Sequence, residues 1–172
     1  QRQMCIRDSI NIIICMINII ILILLLADYV KSENLFVRNF GAFTNGEDTV
    51  YHAIVNGQAF SKLIEFSQPN DNIILSKNET IYYIPDDNKP YYFNLTNITL
   101  IFHGNIFLHN DNEYWPKNDD STYYNAFDIR NSQNIQIKGT GTINGNGYRW
   151  WKDFLFGRIV RQRPTMIYLK DS

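Results

Sequence analysis

Two aspartate doublets are the side chains of this sequence best suited to general acid–base chemistry. Asp86-Asp87 and Asp119-Asp120 place two carboxyl groups side by side, and positioned carboxyl groups can transfer a proton or activate a water molecule. Both doublets lie in turns rich in proline, asparagine or both. The histidines His52, His103 and His109 fall in a predicted helix, next to a predicted strand and in a loop. Because none of these residues forms a recognisable motif, we predict no catalytic residue, metal site or cofactor in this chain.

Composition excludes several classes of protein. The 172 residues include 16 basic and 17 acidic side chains, so the net charge of −1 argues against nucleic-acid binding driven by bulk charge. A hydrophobic content of 45% is sufficient for a core. The two cysteines, Cys5 and Cys15, are too few for a disulfide-rich scaffold or a multi-cysteine zinc site.

The N-terminal region differs from the rest. Residues 1–9 show no apolar period and resemble a translated sequencing adapter, so we interpret them as an artefact or a non-native leader. Residues 10–27 are almost wholly apolar and predict a signal peptide that is cleaved near Ala27. The alternative is an uncleaved signal anchor that spans a membrane. We therefore expect a secreted protein, or a membrane-anchored one, with candidate glycosylation sequons at Asn78, Asn94 and Asn97.

The remaining chain, residues 28–172, predicts one helix and many short strands. Apolar residues spaced by three and four predict a helix over about residues 50–67, with Asp48 or Thr49 as its N-cap. A strand over Leu35–Gly41 precedes this helix. After Pro69, short β-rich runs alternate with turns: Ile73–Leu75, Thr80–Ile84, Tyr91–Leu95, Ile98–Phe102, Asn105–Leu108, Ala126–Ile129, Asn134–Lys138, Thr142–Ile143 and Thr165–Leu169.

These strands repeat along the sequence. Residues 97–106 match residues 134–143 at an offset of 37, and residues 127–132 match residues 167–172 at an offset of 40, with Phe93–Asn97 as a looser third copy. Such periods predict a solenoid or a propeller, and short strands with Asn and Gly corners favour a parallel β-solenoid. The helix over residues 50–67 would then cover the first coil of this solenoid as a cap. The alternative is a helix that packs beside an ordinary sheet. The insertion around residues 109–125 is the predicted edge of a binding cleft.

Two motifs resemble a known family. Residues 37–49, with Phe40-Gly41-Ala42 and Asp48-Thr49, are similar to the opening of the pectate-lyase-like right-handed β-helix superfamily. Residues 137–151, followed by Arg163-Pro164, resemble the polygalacturonases of glycoside hydrolase family 28. The resemblance implies an all-β, right-handed parallel β-helix that hydrolyses α-1,4-galacturonan with inversion.

The motifs that carry catalysis in that family are not found here. Its Asn-Thr-Asp strand, Asp-Asp pair, Gly-His-Gly turn and Arg-Ile-Lys strand follow the Arg-Pro strand, and this chain stops at Ser172. We therefore expect an incomplete β-helix, truncated before the catalytic coils, that does not hydrolyse polygalacturonate. Its open end is expected to cause self-association or poor solubility.

Aromatic and basic side chains are the candidate substrate contacts, because aromatic rings stack on sugar C–H faces and arginines attract polyanions. Packing and solvated loops are the alternative interpretations. The candidates are Trp115, Trp150, Trp151, Arg158, Arg161 and Arg163.

The sequence thus predicts the N-terminal portion of a secreted polygalacturonase-like hydrolase acting on pectin-type polysaccharide. The alternatives are a non-catalytic β-helix surface or carbohydrate-binding protein, or a polysaccharide lyase of the same superfamily. The expected partner is a galacturonan-like polysaccharide for the full-length protein, with no nucleic acid, and a membrane only through residues 10–27.

Overall fold

A computed structural model describes residues 16–21, 32–159 and 163–171, and the chain divides into two compact units, Gln1–Lys31 and Ser32–Ser172. In the first unit, residues 16–21 are helical with exposed side chains. The predicted leader over residues 1–9 and the predicted cleavage point at Ala27 lie outside the described residues. Among those that are described, no helix has the length and apolar character needed to cross a membrane.

The second unit is a parallel β-structure with few helices. Its strands and helices are β1 (Asn34–Phe36), a 3-10 helix (Val37–Phe40), α1 (Val50–Phe66), β2 (Asn72–Leu75), β3 (Thr80–Tyr83), β4 (Tyr92–Phe93), β5 (Thr99–Phe102), β6 (Asn105–Leu108), β7 (Phe127–Arg130), β8 (Gln136–Lys138), β9 (Thr142–Asn144), α2 (Tyr148–Leu155) and β10 (Ile167–Lys170).

The strands form three sheets. Their orders are β1-β2-β5-β8, β3-β6-β9 and β4-β7-β10, and every pair of neighbouring strands is parallel. From β2 onward the chain visits the three sheets in the same order three times. Since parallel neighbours require a crossover rather than a hairpin, each visit to a sheet is separated by strands of the other two.

The pairing register matches most of the predicted repeat. Thr99 pairs with Gln136 and Leu100 with Ile137, and Phe127 pairs with Ile167, as the two offsets require. The third copy was wrong in register. Phe93 pairs with Arg130 rather than with Phe127, so Asn94, and not Asn97, is the left-handed residue that corresponds to Asn131.

Asparagines turn the corners between sheets. Asn94, Asn97, Asn131 and Asn134 all have positive φ angles, between 47° and 57°. Asparagine tolerates this left-handed backbone better than most residues. Asn134 also donates from Nδ2 to Oδ1 of Asn97 at 2.9 Å, so a side-chain bond links the two segments that lead into the paired strands β5 and β8.

The predicted helix is confirmed to within one residue at its C-terminus. Thr49 is its N-cap, and its hydroxyl oxygen accepts a hydrogen bond from the backbone N–H of His52 at 3.2 Å. The preceding turn is tied to β3, since Asn45 N–H donates to the carbonyl of Thr80 at 2.7 Å and Asn45 Oδ1 accepts from Thr80 N–H at 2.9 Å. The turn therefore satisfies backbone groups on the outer edge of β3.

Helix α1 continues the protection of that edge. Asn56, which is fully buried, donates from Nδ2 to the carbonyl of Tyr82 at 2.7 Å. The carbonyl of Ala53 accepts from Ile84 N–H at 3.1 Å. A Cβ at Gly57 would overlap the carbonyl oxygen of Ile84, so glycine allows the helix to lie directly against the strand.

The core lies between the three sheets and α1. Inward-facing residues alternate with half-exposed ones along β2, β3, β5 and β6, the pattern of a sheet with one buried face. Phe60 of α1 packs against the rings of Tyr83, Phe102 and Phe127, with centroids 5.2–6.4 Å apart. One apolar cluster thus joins the helix to all three sheets.

Two local predictions differ from the structure. The predicted strand over Leu35–Gly41 ends at Phe36 and continues as a 3-10 helix, which Gly41 terminates with a φ of 96°. Helix α2 was not predicted. Its apolar residues Trp150, Trp151, Phe154 and Leu155 have helical spacing, but the segment is only eight residues long and follows a Gly-rich turn, and only Trp150 and Asp153 of it are buried.

Candidate functional site

The insertion over residues 109–125 and helix α2 meet around two buried tryptophans. Trp115 is 2% exposed and donates from Nε1 to the carbonyl of Tyr124 at 2.8 Å. Its ring meets Trp150, which is 3% exposed, edge to face at 5.6 Å, and Tyr123 packs edge to face on the other side of Trp150 at 4.9 Å. Burial therefore favours the packing interpretation for both tryptophans, because neither ring has a face open to a sugar.

Trp151 has a different environment. It is 51% exposed, and the guanidinium carbon of Arg163 lies 4.0 Å from its ring centroid. Arg163 is half-buried and makes no ion pair within the described part of the chain. Of the predicted substrate contacts, these two side chains combine an exposed aromatic surface with an unpaired positive charge. Arg161 lies outside the described residues.

Arg158 belongs to a structural network. Its guanidinium contacts the buried carboxylate of Asp153 at 3.3 Å, and its backbone N–H donates to the Asp153 carbonyl at 2.8 Å. Asp153 also accepts from Asn112 Nδ2 at 2.7 Å and lies 3.8 Å from Arg149 Nε. A buried carboxylate needs such partners, so Arg158 holds the end of α2 and is only partly free to attract a ligand.

His109 lies beside this network without a hydrogen-bond partner. Both ring nitrogens are buried and unbonded, and Nδ1 is 3.4 Å from Oδ1 of Asp48. Burial lowers the pKa of His109 below its usual 6.5, and Arg149 acts in the same direction, whereas Asp48 and Asp111 act to raise it. The neutral imidazole is therefore the form that the fold favours.

A pocket of about 360 Å³ opens between the turn before α2 and the segment that leads into β10. Leu108, Trp115 and Trp150 form its buried wall. Its other lining residues are Gly145, Gly147, Arg163, Pro164, Thr165 and Met166. The lining is mainly apolar, contains no carboxylate and has one charged side chain, that of Arg163.

The two aspartate doublets line different grooves. Asp86-Asp87 borders a groove between α1 and the insertion, with Glu113 and Tyr114 on its other side. Asp119-Asp120 borders a second groove with Tyr91. A pair of carboxyl groups must face one substrate to act as acid and base, and the structure does not bring these two doublets into a common site.

One carboxylate of each doublet, that of Asp86 and that of Asp120, accepts hydrogen bonds from its own turn. Asp86 is buried and accepts from the backbone N–H of Asn88 at 3.1 Å. Asp120 accepts from Thr122 through its backbone N–H at 3.0 Å and its hydroxyl at 2.6 Å. Such local bonds are typical of aspartates that stabilise turns.

The sequence did not indicate one buried ion pair. Asp128 is fully buried and accepts from both Nε and one terminal nitrogen of Arg130, at 2.7 and 2.9 Å. The Asp128 hydrogen bonds raise the pKa of Arg130. The guanidinium also lies 3.7 Å from the ring centroid of Tyr91. Asp128 and Arg130 are two residues apart in β7, so their side chains lie on the same face of the sheet. That spacing is common to all strands and does not by itself indicate an ion pair.

The candidate glycosylation sites differ in accessibility. Asn78 is exposed in the turn between β2 and β3, and Asn94 is exposed at a corner. Asn97 is half-buried, and its side-chain oxygen already accepts from Asn134. The structure thus leaves more room for a glycan at the first two sequons than at the third.

One curated relative aligns with part of this chain. It is described as a probable exopolygalacturonase B from Aspergillus terreus and is 36% identical over 71 residues, a stretch that covers 38% of this chain and 16% of the relative. The match therefore spans less than a fifth of that protein's length. No family model and no solved structure matches the chain. The partial match supports a polygalacturonase-like relationship.

Proposed function

We propose that this chain is the N-terminal portion of a secreted polygalacturonase-like glycoside hydrolase that acts on pectin-type polysaccharide. The observation that carries the proposal is the partial similarity to an exopolygalacturonase. The Gly-rich motif of residues 137–151, followed by Arg163-Pro164, also supports it. The catalytic coils of the full-length protein would follow Ser172.

We infer that the three sheets form a right-handed parallel β-helix with α1 as its cap. The cyclic order of strands among the sheets and the repeated pairing offsets support this inference. Protection of the β3 edge by Asn56 and Ala53 is what a capping helix must provide, since an open edge recruits other strands.

The described coils would serve the reaction as a rigid base. Inverting hydrolysis uses one carboxylic acid to protonate the leaving oxygen and a carboxylate to activate water, with the two groups roughly 6.5–9.5 Å apart. Stacked coils can hold such groups at a fixed spacing because each coil is bonded to the last along three sheets. The doublets Asp86-Asp87 and Asp119-Asp120 line separate grooves, so we expect the present chain to be inactive.

The test is to extend the reading frame beyond Ser172 and to express the extended protein. Release of reducing ends from polygalacturonate, with inverted configuration at the new anomeric carbon by NMR, is the expected result. The 172-residue chain is the matched control and should release none. Apolar or amide residues at the expected acidic positions, with no turnover, would support a non-catalytic carbohydrate-binding protein instead. An unsaturated uronide as the product would support a lyase.

Secretion is part of the proposal and has its own test. The apolar segment over residues 10–27 is the feature that supports it. Expression with a C-terminal tag in a eukaryotic secretory host should give a protein in the medium whose N-terminus lies close to Asp28. Retention in the membrane fraction with residues 10–27 intact would indicate an anchor.

A further inference from the structure

We propose that the turn before α2 is a site of spontaneous covalent modification, at which Asn146 deamidates through attack by the backbone nitrogen of Gly147. The products are aspartate and isoaspartate at position 146. The reaction consumes water, releases ammonia and needs no enzyme. It is unrelated to the hydrolysis of a polysaccharide, so its test is independent of the proposed function.

The reaction has two steps. In the first, the backbone nitrogen of Gly147 loses its proton and bonds to Cγ of Asn146, and the bond from Cγ to Nδ2 breaks. The side-chain nitrogen leaves with that proton as ammonia, and a succinimide ring remains. Water then opens the ring. Aspartate forms when the bond from nitrogen to Cγ breaks, and isoaspartate forms when the bond from nitrogen to the main-chain carbonyl carbon of residue 146 breaks.

Four asparagines of the sequence precede a glycine, whose nitrogen is the easiest to approach because glycine has no Cβ. The pairs are Asn45-Gly46, Asn56-Gly57, Asn144-Gly145 and Asn146-Gly147. The structure restrains the first two. Asn56 is fully buried, its Oδ1 accepts from Phe43 N–H at 2.6 Å, and its Nδ2 donates to the carbonyl of Tyr82 at 2.7 Å. Asn45 Oδ1 accepts from Thr80 N–H at 2.9 Å. Cyclisation would break these bonds, so local opening of the fold must precede it.

The two pairs before α2 are less restrained, and Asn146 is the less restrained of the two. Asn144 is exposed, but it is the last residue of β9, pairs with Phe107, and accepts from Asn146 N–H at 2.9 Å through its Oδ1. Asn146 lies beyond the strand with a φ of 45°. It is half-buried, and its side chain makes no hydrogen bond to any residue that the structure describes. Its amide group is therefore free to turn towards the next backbone nitrogen.

The start of α2 leaves that nitrogen available. Gly147 is the N-cap of the helix, and the first N–H groups of a helix have no partner within it. Within the described ranges the N–H of Gly147 makes no hydrogen bond. The positive end of the helix dipole stabilises the negative charge that develops on the nitrogen and on the side-chain oxygen during the attack. The local structure thus favours the first step.

The two products change the start of α2 in different ways. The helix has no acidic residue in its first turn and no side-chain cap, and aspartate at position 146 adds a negative charge beside that end. Isoaspartate instead adds one backbone atom immediately before the helix. Since α2 packs Trp150 against Trp115 of the insertion, the modification acts on the contact between these two segments.

Peptide mapping by mass spectrometry tests the proposal on the purified 172-residue chain, incubated at mildly alkaline pH. Deamidation at Asn146 should be at least about tenfold faster than at Asn56, because each buried hydrogen bond that must break slows the reaction by about that factor. Asn45 and Asn144 should react more slowly than Asn146, and isoaspartyl methyltransferase should label position 146. In urea, which removes the fold, the four pairs should react within about threefold of one another, since all share the following glycine.

Two glycine substitutions provide a variant and its matched control. At Gly147, where φ is −74°, an added Cβ meets no atom within 4 Å. Gly147→Ala should therefore fold normally and lose most of the isoaspartate at position 146. At Gly145 the added Cβ meets only the flexible side chain of Met166, at 3.2 Å from its sulfur. Gly145→Ala should slow the reaction at Asn144 and leave that at Asn146 unchanged.

Three outcomes would overturn the proposal. They are equal or faster deamidation at any of the other three asparagines in the folded chain, absence of isoaspartate at position 146, and undiminished isoaspartate in Gly147→Ala. Circular dichroism verifies that each variant is folded, and the comparison of the four pairs within the wild-type chain needs no substitution.

Discussion

Gly57→Ala should destabilise the protein although it lies in the middle of a helix. Helix propensity alone favours alanine over glycine by about 1 kcal/mol. Here a Cβ at position 57 would overlap the carbonyl oxygen of Ile84 and would lie 3.1 Å from its carbonyl carbon and 3.2 Å from the backbone nitrogen of Asp86. All of these atoms are backbone, so the overlap cannot be relieved by rotating a side chain.

The expected magnitude follows from the bonds that a shift would break. Moving α1 away from β3 by on the order of 1 Å removes the bond from Ile84 N–H to Ala53 and the bond from Asn56 to Tyr82. Each buried group left unpaired costs about 1–3 kcal/mol. After the gain of about 1 kcal/mol from propensity, we expect a net loss of about 3 kcal/mol.

Urea unfolding monitored by circular dichroism provides the assay. With a slope of about 2 kcal/mol per molar, a loss of this size lowers the unfolding midpoint by roughly 1.5 M. Gln58→Ala is the matched control, because residue 58 is the next position of α1 and is half-exposed; its effect should stay within about 0.5 kcal/mol. A midpoint for Gly57→Ala at or above that of the wild-type chain would refute the close approach of α1 to β3.

Three further predictions follow from buried polar groups and accessible sequons. The pKa of His109 in the folded protein lies below its ordinary value of 6.5, so the unfolded chain takes up a proton first as the pH falls. Stability should therefore be unaffected by this group above pH 6.5 and should decrease as the pH falls from 6.5 towards the lower pKa of the folded state. Thermal unfolding of His109→Gln should depend less on pH over this range. Burial acts to raise the pKa of Glu79, but hydrogen bonds, first of all from Arg38, lower it overall below 4.5. Glu79→Gln should therefore have a smaller free energy of unfolding than the wild-type chain at neutral pH. In urea titrations below pH 4.5 the difference between the two proteins should decrease, because Glu79 itself becomes protonated there. In a secretory host, peptide mapping should find a glycan at Asn78 and none at Asn97, because Asn97 is half-buried and its side-chain oxygen already accepts from Asn134. Occupancy of Asn97 alone would contradict this order.

The strands could be predicted because two local signals agree. Apolar alternation marks the buried face of β2, β3, β5 and β6. The Asn-Ile frame recurs because Asn97 and Asn134 hold equivalent left-handed positions before the paired strands β5 and β8. Helix α1 could be predicted equally well from the sequence, since its apolar spacing and the cap at Thr49 are both local features. The copy at Phe93–Asn97 was placed wrongly because β4 has only two paired residues, too few to fix a register from the sequence.

The candidate site was less predictable because it depends on contacts between distant segments. The sequence indicates that tryptophans and arginines are present, but burial of Trp115 depends on its bond to Tyr124 and its packing on α2. Likewise, Arg158 and Arg163 look equivalent in the sequence. The structure distinguishes them by the position of Asp153, which pairs with Arg158, whereas Arg163 has no ion pair with any residue that the structure describes.

The pairing pattern described above also has a consequence for the order of folding during synthesis. β5, β6 and β7 each pair with a strand that the ribosome has already made, and β8, β9 and β10 then pair with these. The edge that α1 covers belongs to β3, which also precedes these strands in the chain. Each of these strands thus has a partner that is already synthesised when it emerges, and it needs no later segment for that pairing. New strands of such a protein can therefore pair with the folded part while the chain is still being synthesised.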